Sequence, residues 1–189
     1  MGKSFRNAIP SFTSSRATCK LGRLFLDLSG NKDTASIGGS HYTMIICDDF
    51  TRFTWVLFLK HKSDAGRKFE EFISSVSDHD QVKKVRTDEG GEFISQAFKN
   101  VCSRHKIKHE LTTADSQQFN GVAKRRLGII KTTSKAEIPT RDDLWAEGTS
   151  WALDSLNRSA TTPNPDRVSP HEMWHGRTPT LTILPFLKP

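Results

Sequence analysis

No apolar run in these 189 residues approaches the length of a membrane span, and Lys3 and Arg6 are not followed by the hydrophobic stretch a secretory leader requires. The sequence therefore offers neither a bilayer span nor an export signal. Cysteine is scarce: Cys19, Cys47 and Cys102 form an odd, widely spaced set with no Cys-x-x-Cys pair, which reads as buried free thiols in a reducing compartment rather than a disulfide framework. Cys102, His105 and His109 fall at zinc-like intervals, but they supply only three ligands and straddle a helix end and the following strand, so ordinary core and surface roles are expected. Internal repeats and low-complexity tracts are also absent. What the chain has in excess is positive charge: 28 Lys and Arg against 21 Asp and Glu give +7, and a pI near 9.5 favours a polyanionic partner. The length suits one domain with a substantial core.

Hydrophobic patterning divides the chain into three parts. Residues 1–22 are polar and aperiodic and read as an arm or linker. Residues 23–160 read as the core, opening with three short apolar runs, Leu24 to Leu28, Tyr42 to Cys47 and Phe53 to Leu59, separated by turn-forming segments and therefore expected as an antiparallel meander. From Asp64 the period becomes helical, with Ala65, Phe69, Phe72, Ile73 and Val76 on one side. A fourth strand follows over Val82 to Thr87, ending at Asp88, then a short helix capped by Ser95 with Phe98, Val101 and Cys102 inward, and a fifth strand over Ile107 to Leu111. Three strands followed by helix, strand, helix, strand and more helix make an α/β chain of ribonuclease-H-like plan, a five-stranded mixed sheet with helices on both faces.

Beyond Gln118 a longer helix is expected, with Val122, Ile129, Ile130 and Thr133 on its apolar side and Asn120, Lys124, Lys131 and Lys135 opposite, so that Lys124 faces outward. Pro139 ends it. Leu144, Trp145, Trp151, Ala152 and Leu156 mark another helix, weakened by Gly148 by about 1 kcal/mol relative to alanine. Residues 161–189, with six prolines, are expected to run extended over the surface.

Three blocks stand out: Leu24-Phe25-Leu26-Asp27-Leu28, Arg86-Thr87-Asp88-Glu89-Gly90-Gly91-Glu92-Phe93, and Gln118-Phe119-Asn120-Gly121-Val122-Ala123-Lys124-Arg125. Between Asp88 and Lys124 lie 124 − 88 − 1 = 35 residues. With Asp48-Asp49-Phe50-Thr51-Arg52-Phe53-Thr54-Trp55, Leu144-Trp145-Ala146-Glu147 and Ser169-Pro170-His171-Glu172-Met173-Trp174-His175-Gly176, they make nearly the whole chain resemble the integrase catalytic core of Ty1/copia-type retrotransposons. The resemblance implies DNA cutting and joining by two aspartates and a glutamate, the last two 35 residues apart, holding two Mg2+ or Mn2+ ions. It places Asp27 and Asp88 as catalytic and metal-binding residues and Lys124 where the glutamate should be. It also implies a location in the nucleus or a virus-like particle, a His/Cys zinc module before the core and a variable region after it, so that these residues read as a core fragment.

Phosphodiester transfer needs a nucleophile activated on one metal and a leaving oxygen stabilised on a second about 4 Å away, so several carboxylates must converge. A lysine offers such ions no oxygen, and no acid lies within a turn of Lys124 on its helix. Metal binding is therefore expected to be weak or absent and the site incomplete. Glu89 and Glu92 are candidate substitutes, though a place at the Gly-Gly turn and helix start suits them better; Asp48 and Asp49 read as turn caps. Lys124 itself either pairs with Asp27 or Asp88 or extends into solvent. The basic groups Lys83, Lys84 and Arg86, and Arg104, Lys106 and Lys108, read as solvated surface. Lys124, Arg125, Lys131 and Lys135 share the helix that in the family lies along DNA, and with Gln118 and Asn120 they are the expected phosphate and polar contacts. Gln117 stands where the family commonly has proline.

The leading reading is thus an inactive integrase core with weak, sequence-nonspecific DNA binding and self-association as a homodimer. Two rivals remain: an active metal-dependent polynucleotidyl transferase or nuclease using another third ligand, and a domesticated protein-interaction module without a DNA role.

Overall fold

The computed structural model describes residues 16–76, 81–112, 121–137 and 141–180. Five strands, β1 (Leu24–Leu28), β2 (Tyr42–Asp48), β3 (Thr54–Leu59), β4 (Lys84–Asp88) and β5 (Lys108–Thr112), form one sheet in the order β3-β2-β1-β4-β5. The β1–β2 and β2–β3 pairs are antiparallel, while β1–β4 and β4–β5 are parallel. The expected meander and ribonuclease-H-like plan are therefore present. Among the described residues six α-helices accompany the strands: α1 (Ala65–Val76), α2 (Gly91–Ile94), α3 (Gln96–Arg104), α4 (Gly121–Glu137), α5 (Trp145–Arg158) and α6 (Pro170–His175).

Alternation along the strands sends side chains to two cores. Leu24, Leu26, Met44, Ile46 and Val85 pack on one face with Phe69, Phe72 and Ile73 of α1, Phe93 of α2, and Phe98, Val101 and Cys102 of α3. Phe25, Ile45 and Cys47 point the other way, against Ala123, Leu127 and Ile130 of α4 and Ala152 and Leu153 of α5. Ser95 caps α3 as expected, its hydroxyl accepting from the Phe98 amide at 3.3 Å.

β3 is an edge strand, and the backbone at its buried start is closed by a side chain. The Asn157 carboxamide accepts from the Thr54 amide at 3.0 Å and donates to the Thr54 carbonyl at 2.8 Å, taking the place of a neighbouring strand. Asn157 is buried. Asn157→Ala strands both backbone groups, so a loss of about 2–4 kcal/mol is expected. Thermal melting checks it: at roughly 2–4 °C per kcal/mol for a chain of this size, a shift within 1 °C would show that the pair contributes nothing.

The tail departs from expectation. Residues 165–167 form a single 3-10 turn and Pro170–His175 a helix, so this part does not run extended. The Ser169 hydroxyl accepts from the Glu172 amide at 3.1 Å, Pro170 fills the first helical position, and Gly176 closes the helix at φ 70°. Trp174 then stacks on Phe53 at 5.7 Å and meets Trp55 edge-on at 4.7 Å. Arg16 ties the end of the arm to the same region by bonding the Asp49 and Phe50 carbonyls, the Pro163 carbonyl and the Asn164 side chain.

Candidate active site

β1 is the sheet's central strand, and Asp27 is its fourth residue. Phe25, two residues earlier, faces α4, so Asp27 faces the same way; its antiparallel partner Ile45 belongs to that core too. Across the parallel pair, Leu24 lies level with Val85 and Phe25 with Arg86. The pairing ends there; the same register carried two residues further would set Asp27 against Asp88, and strand alternation puts both on one face of the sheet. One Asp88 oxygen accepts from the Gly90 amide at 3.1 Å, a turn that ends β4 and starts α2. Asp27 is buried and Asp88 half-buried.

Parallel pairing adds a residue absent from the sequence-based set. β5 extends to Thr112, which lies level with Asp88. Its buried Oγ1 has no hydrogen-bond partner among the described residues. The signal was weak: the strand was expected to stop at Leu111, and a threonine at a strand end carries no motif.

α4 packs against β1 and β2, but not through the expected seam. Ala123, Leu127 and Ile130 are buried at intervals of four and three, while Val122 is half-buried and Ile129 is exposed. The seam is turned by about one residue, roughly 100° of helix. Lys124 therefore flanks the buried stripe and is half-buried rather than facing outward. Among the described residues no ion pair joins it to Asp27 or Asp88. Arg125 is exposed. Arg126 turns inward, donating to the Arg52 carbonyl at 3.4 Å, and burial, with the Arg52 charge, lowers its pKa. Gln118, Asn120 and the side chains of Lys131 and Lys135 lie outside the described residues.

The other acids divide by partner. Asp48 is fully buried, accepting from the Leu21 amide at 2.9 Å and from the Thr51 amide and hydroxyl at 2.7 and 2.8 Å; burial raises its pKa against those bonds. Asp49 accepts from the Ala17 amide and pairs with Arg23 at 3.4 Å and Arg52 at 3.2 Å. Both hold the turn after β2. Glu92 lies in the first turn of α2, 4.0 Å from Lys62. A Cβ on Gly90 would meet a Glu92 oxygen at 3.0 Å and an Asp88 oxygen at 3.1 Å, so that glycine keeps the two carboxylates close to one spot. No group of three or more His, Cys, Asp and Glu able to hold a metal ion occurs among the described residues. The zinc-like trio is spread out: Cys102 is in the core, His105 pairs with Glu70 at 3.3 Å, and His109 bonds Thr87 at 2.9 Å.

On the β4–β5 side Arg86 donates to Glu110 at 2.8 Å and sits 5.8 Å from the Phe25 ring centre. Lys84 and Lys108 each reach the other Glu110 oxygen at 3.9 Å. Burial alone would raise the Glu110 pKa, but the Arg86 bond and the charges of Arg86, Arg23 and Lys84 hold it below the usual carboxylate value.

Residues 26–116, which span both aspartates, match the family model "Integrase core domain". Over 183 residues, 93% of the chain is 32% identical to the Retrovirus-related Pol polyprotein from transposon TNT 1-94 of Nicotiana tabacum. Residues 26–116 carry an integrase core domain, and the chain as a whole is similar to the retrotransposon and retroviral type. The polyprotein of transposon RE2 from Arabidopsis thaliana is 29% identical over 170 residues, 82% of the chain. The chain spans only 14% and 11% of the length of those two relatives. Among solved structures, the simian T-cell lymphotropic virus intasome in complex with PP2A regulatory subunit B56 gamma superposes with a TM-score of 0.70 at 20% identity, covering 97% of this chain and 64% of that one. The HTLV-2 integrase catalytic core domain in complex with magnesium, in a trimeric form, gives 0.61 at 20% identity, covering 83% and 98%. At this identity these neighbours share the fold. No helix of the chain, among the described residues, is long and apolar enough to cross a membrane.

Proposed function

We propose that this integrase core is a pseudoenzyme: it keeps the scaffold and two of the acids, lacks a complete metal centre, and retains weak, sequence-nonspecific affinity for DNA. The observation that carries the reading is a half-buried lysine, Lys124, on the helix that crosses the Asp27 strand, at the position where the family pattern has glutamate. The donor set offers no more than a weak site for one divalent ion: Asp88 and Thr112 are paired in register on β4 and β5, and Asp27 falls in the same row when the β1–β4 register is carried two residues further. It does not fit a pair of ions, which needs a further carboxylate where an ammonium stands. The test is nicking and end-joining of DNA in Mg2+ and in Mn2+ by the unmutated chain, beside calorimetric titration of each metal. No reaction and no tight metal binding are expected.

One observation favours a second reading, in which Glu92 supplies the missing ligand, since Glu92 and Asp88 converge over Gly90. Metal-dependent cleavage abolished by both Asp88→Asn and Glu92→Gln would establish it. DNA affinity is assigned to Arg125, Lys131 and Lys135 with Gln118 and Asn120, and its mark is a steep fall with salt. Absence of binding at low salt would leave the protein-interaction module as the better account. Self-association is part of the proposal, as related cores occur in structures described as dimeric and trimeric; light scattering on the purified chain measures it.

A further inference from the structure

We propose that the β4–β5 half of the sheet carries a second phosphate-binding surface, a lane of basic side chains that holds one strand of DNA leading toward Asp27 and Asp88. It rests on the DNA-binding reading above but uses different residues from those on α4. β4 and β5 run parallel in register, so Lys84 lies level with Lys108, Arg86 with Glu110, and Asp88 with Thr112. Arg86 lies over Phe25, which places all three pairs on the face that carries Asp27. Successive pairs are about 6.6 Å apart along the strands, so Lys84 and Lys108 stand about 13 Å from the acid pair. α4 packs on α5 and, within the sheet, on β1 and β2, and the Lys84 and Lys108 side chains remain 41% and 69% exposed.

The charge balance of this surface is lopsided. Three cations, Lys84, Arg86 and Lys108, contact the one carboxylate of Glu110, while Arg23, whose charge also acts on it, is paired with Asp49. Arg86 uses two of its nitrogens on one Glu110 oxygen, while both lysines stand at 3.9 Å from the other, outside ordinary hydrogen-bond range. Glu110 thus fixes the arginine and leaves the ammonium groups available to a polyanion. The arrangement suits a run of phosphates rather than one small anion, because its cations lie along two strands.

The experiment titrates a fluorescent 20-base-pair DNA at several salt concentrations with the wild type, Lys84→Gln/Lys108→Gln, Glu110→Gln, and a control of equal charge loss on the opposite face, Lys68→Gln/Lys99→Gln. The lane variant should bind about tenfold more weakly near 0.1 M salt, with a salt slope smaller by about 2. Glu110→Gln should bind more tightly, a direction that mere structural damage would not produce, and thermal melts confirm that each variant is folded. The lane is overturned if the control loses as much as the lane variant. It is also overturned if Arg125→Gln/Lys131→Gln/Lys135→Gln abolishes binding while the lane variants match the wild type, a result that leaves the DNA-binding reading intact. No binding by the wild type at low salt removes both.

Discussion

Lys124→Glu should make the chain bind Mn2+ at least tenfold more tightly than the unmutated protein does and nick DNA in its presence. An ammonium held 4 Å from a divalent ion opposes it by on the order of 8 kcal/mol at an effective dielectric near 20. A lysine can swing away, so the measured gain should be much smaller than that. The substitution acts twice, removing a competing cation and adding an oxygen ligand on the α4 face that already holds Asp27 and Asp88. Manganese titration and a nicking assay provide the check. Unchanged metal affinity would show that position 124 does not face the acid pair, and robust cleavage by the unmutated chain would show that another group completes the site.

Phe98→Ala should cost about 3–5 kcal/mol, the range for removing a fully buried phenyl ring. Phe98 is wholly buried, stacked on Phe69 at 5.2 Å and meeting Phe93 edge-on at 5.3 Å. Its amide is the bond that Ser95 accepts to cap α3, and a Cβ on Gly66 would come within 3.3 Å of the same nitrogen, so α1 and α3 have closed tightly around it. Neighbouring atoms therefore have little freedom to fill the cavity. Chemical denaturation should report the loss in full, with the slope unchanged. A cost below 1 kcal/mol would mean that this core repacks readily. The effect should reach the acid pair, because Phe93 belongs to the short helix that begins at Gly91, directly after the Asp88–Gly90 turn.

Much of this architecture was legible because strand and helix periods are strong where faces are buried. The runs at Leu24, Tyr42 and Phe53 alternate or are continuously apolar, and α1 and α3 place Phe69, Phe72 and Phe98 at helical spacing. α4 was harder. It has few apolar residues, and the adjacent Ile129 and Ile130 pull the apparent seam two ways; small Ala123 and distant Leu127 decide it by fitting beneath the sheet. The tail helix was signalled by Ser169, Pro170 and Gly176, but the surrounding prolines suggested extension. Asp27 and Asp88 were marked by their sequence blocks. Thr112 was not, because its place depends on the register of a parallel pair, which no local pattern specifies.

The central strand has one neighbour close in sequence and one far away. β1 meets β2 through a 13-residue connection, 42 − 28 − 1, whereas β4 comes back to it some sixty residues later. Loop closure of that length is slow relative to hairpin formation, so in folding Asp27 is set in place early, and Asp88 arrives with the second half of the sheet. Two carboxylates approaching each other oppose that arrival. Repulsion between the acids is thus expected to slow the docking of β4, and Asp88→Asn should quicken that step while leaving formation of the meander untouched. If the β4–β5 half docks last and opens first, its amides should exchange with solvent sooner than those of β2.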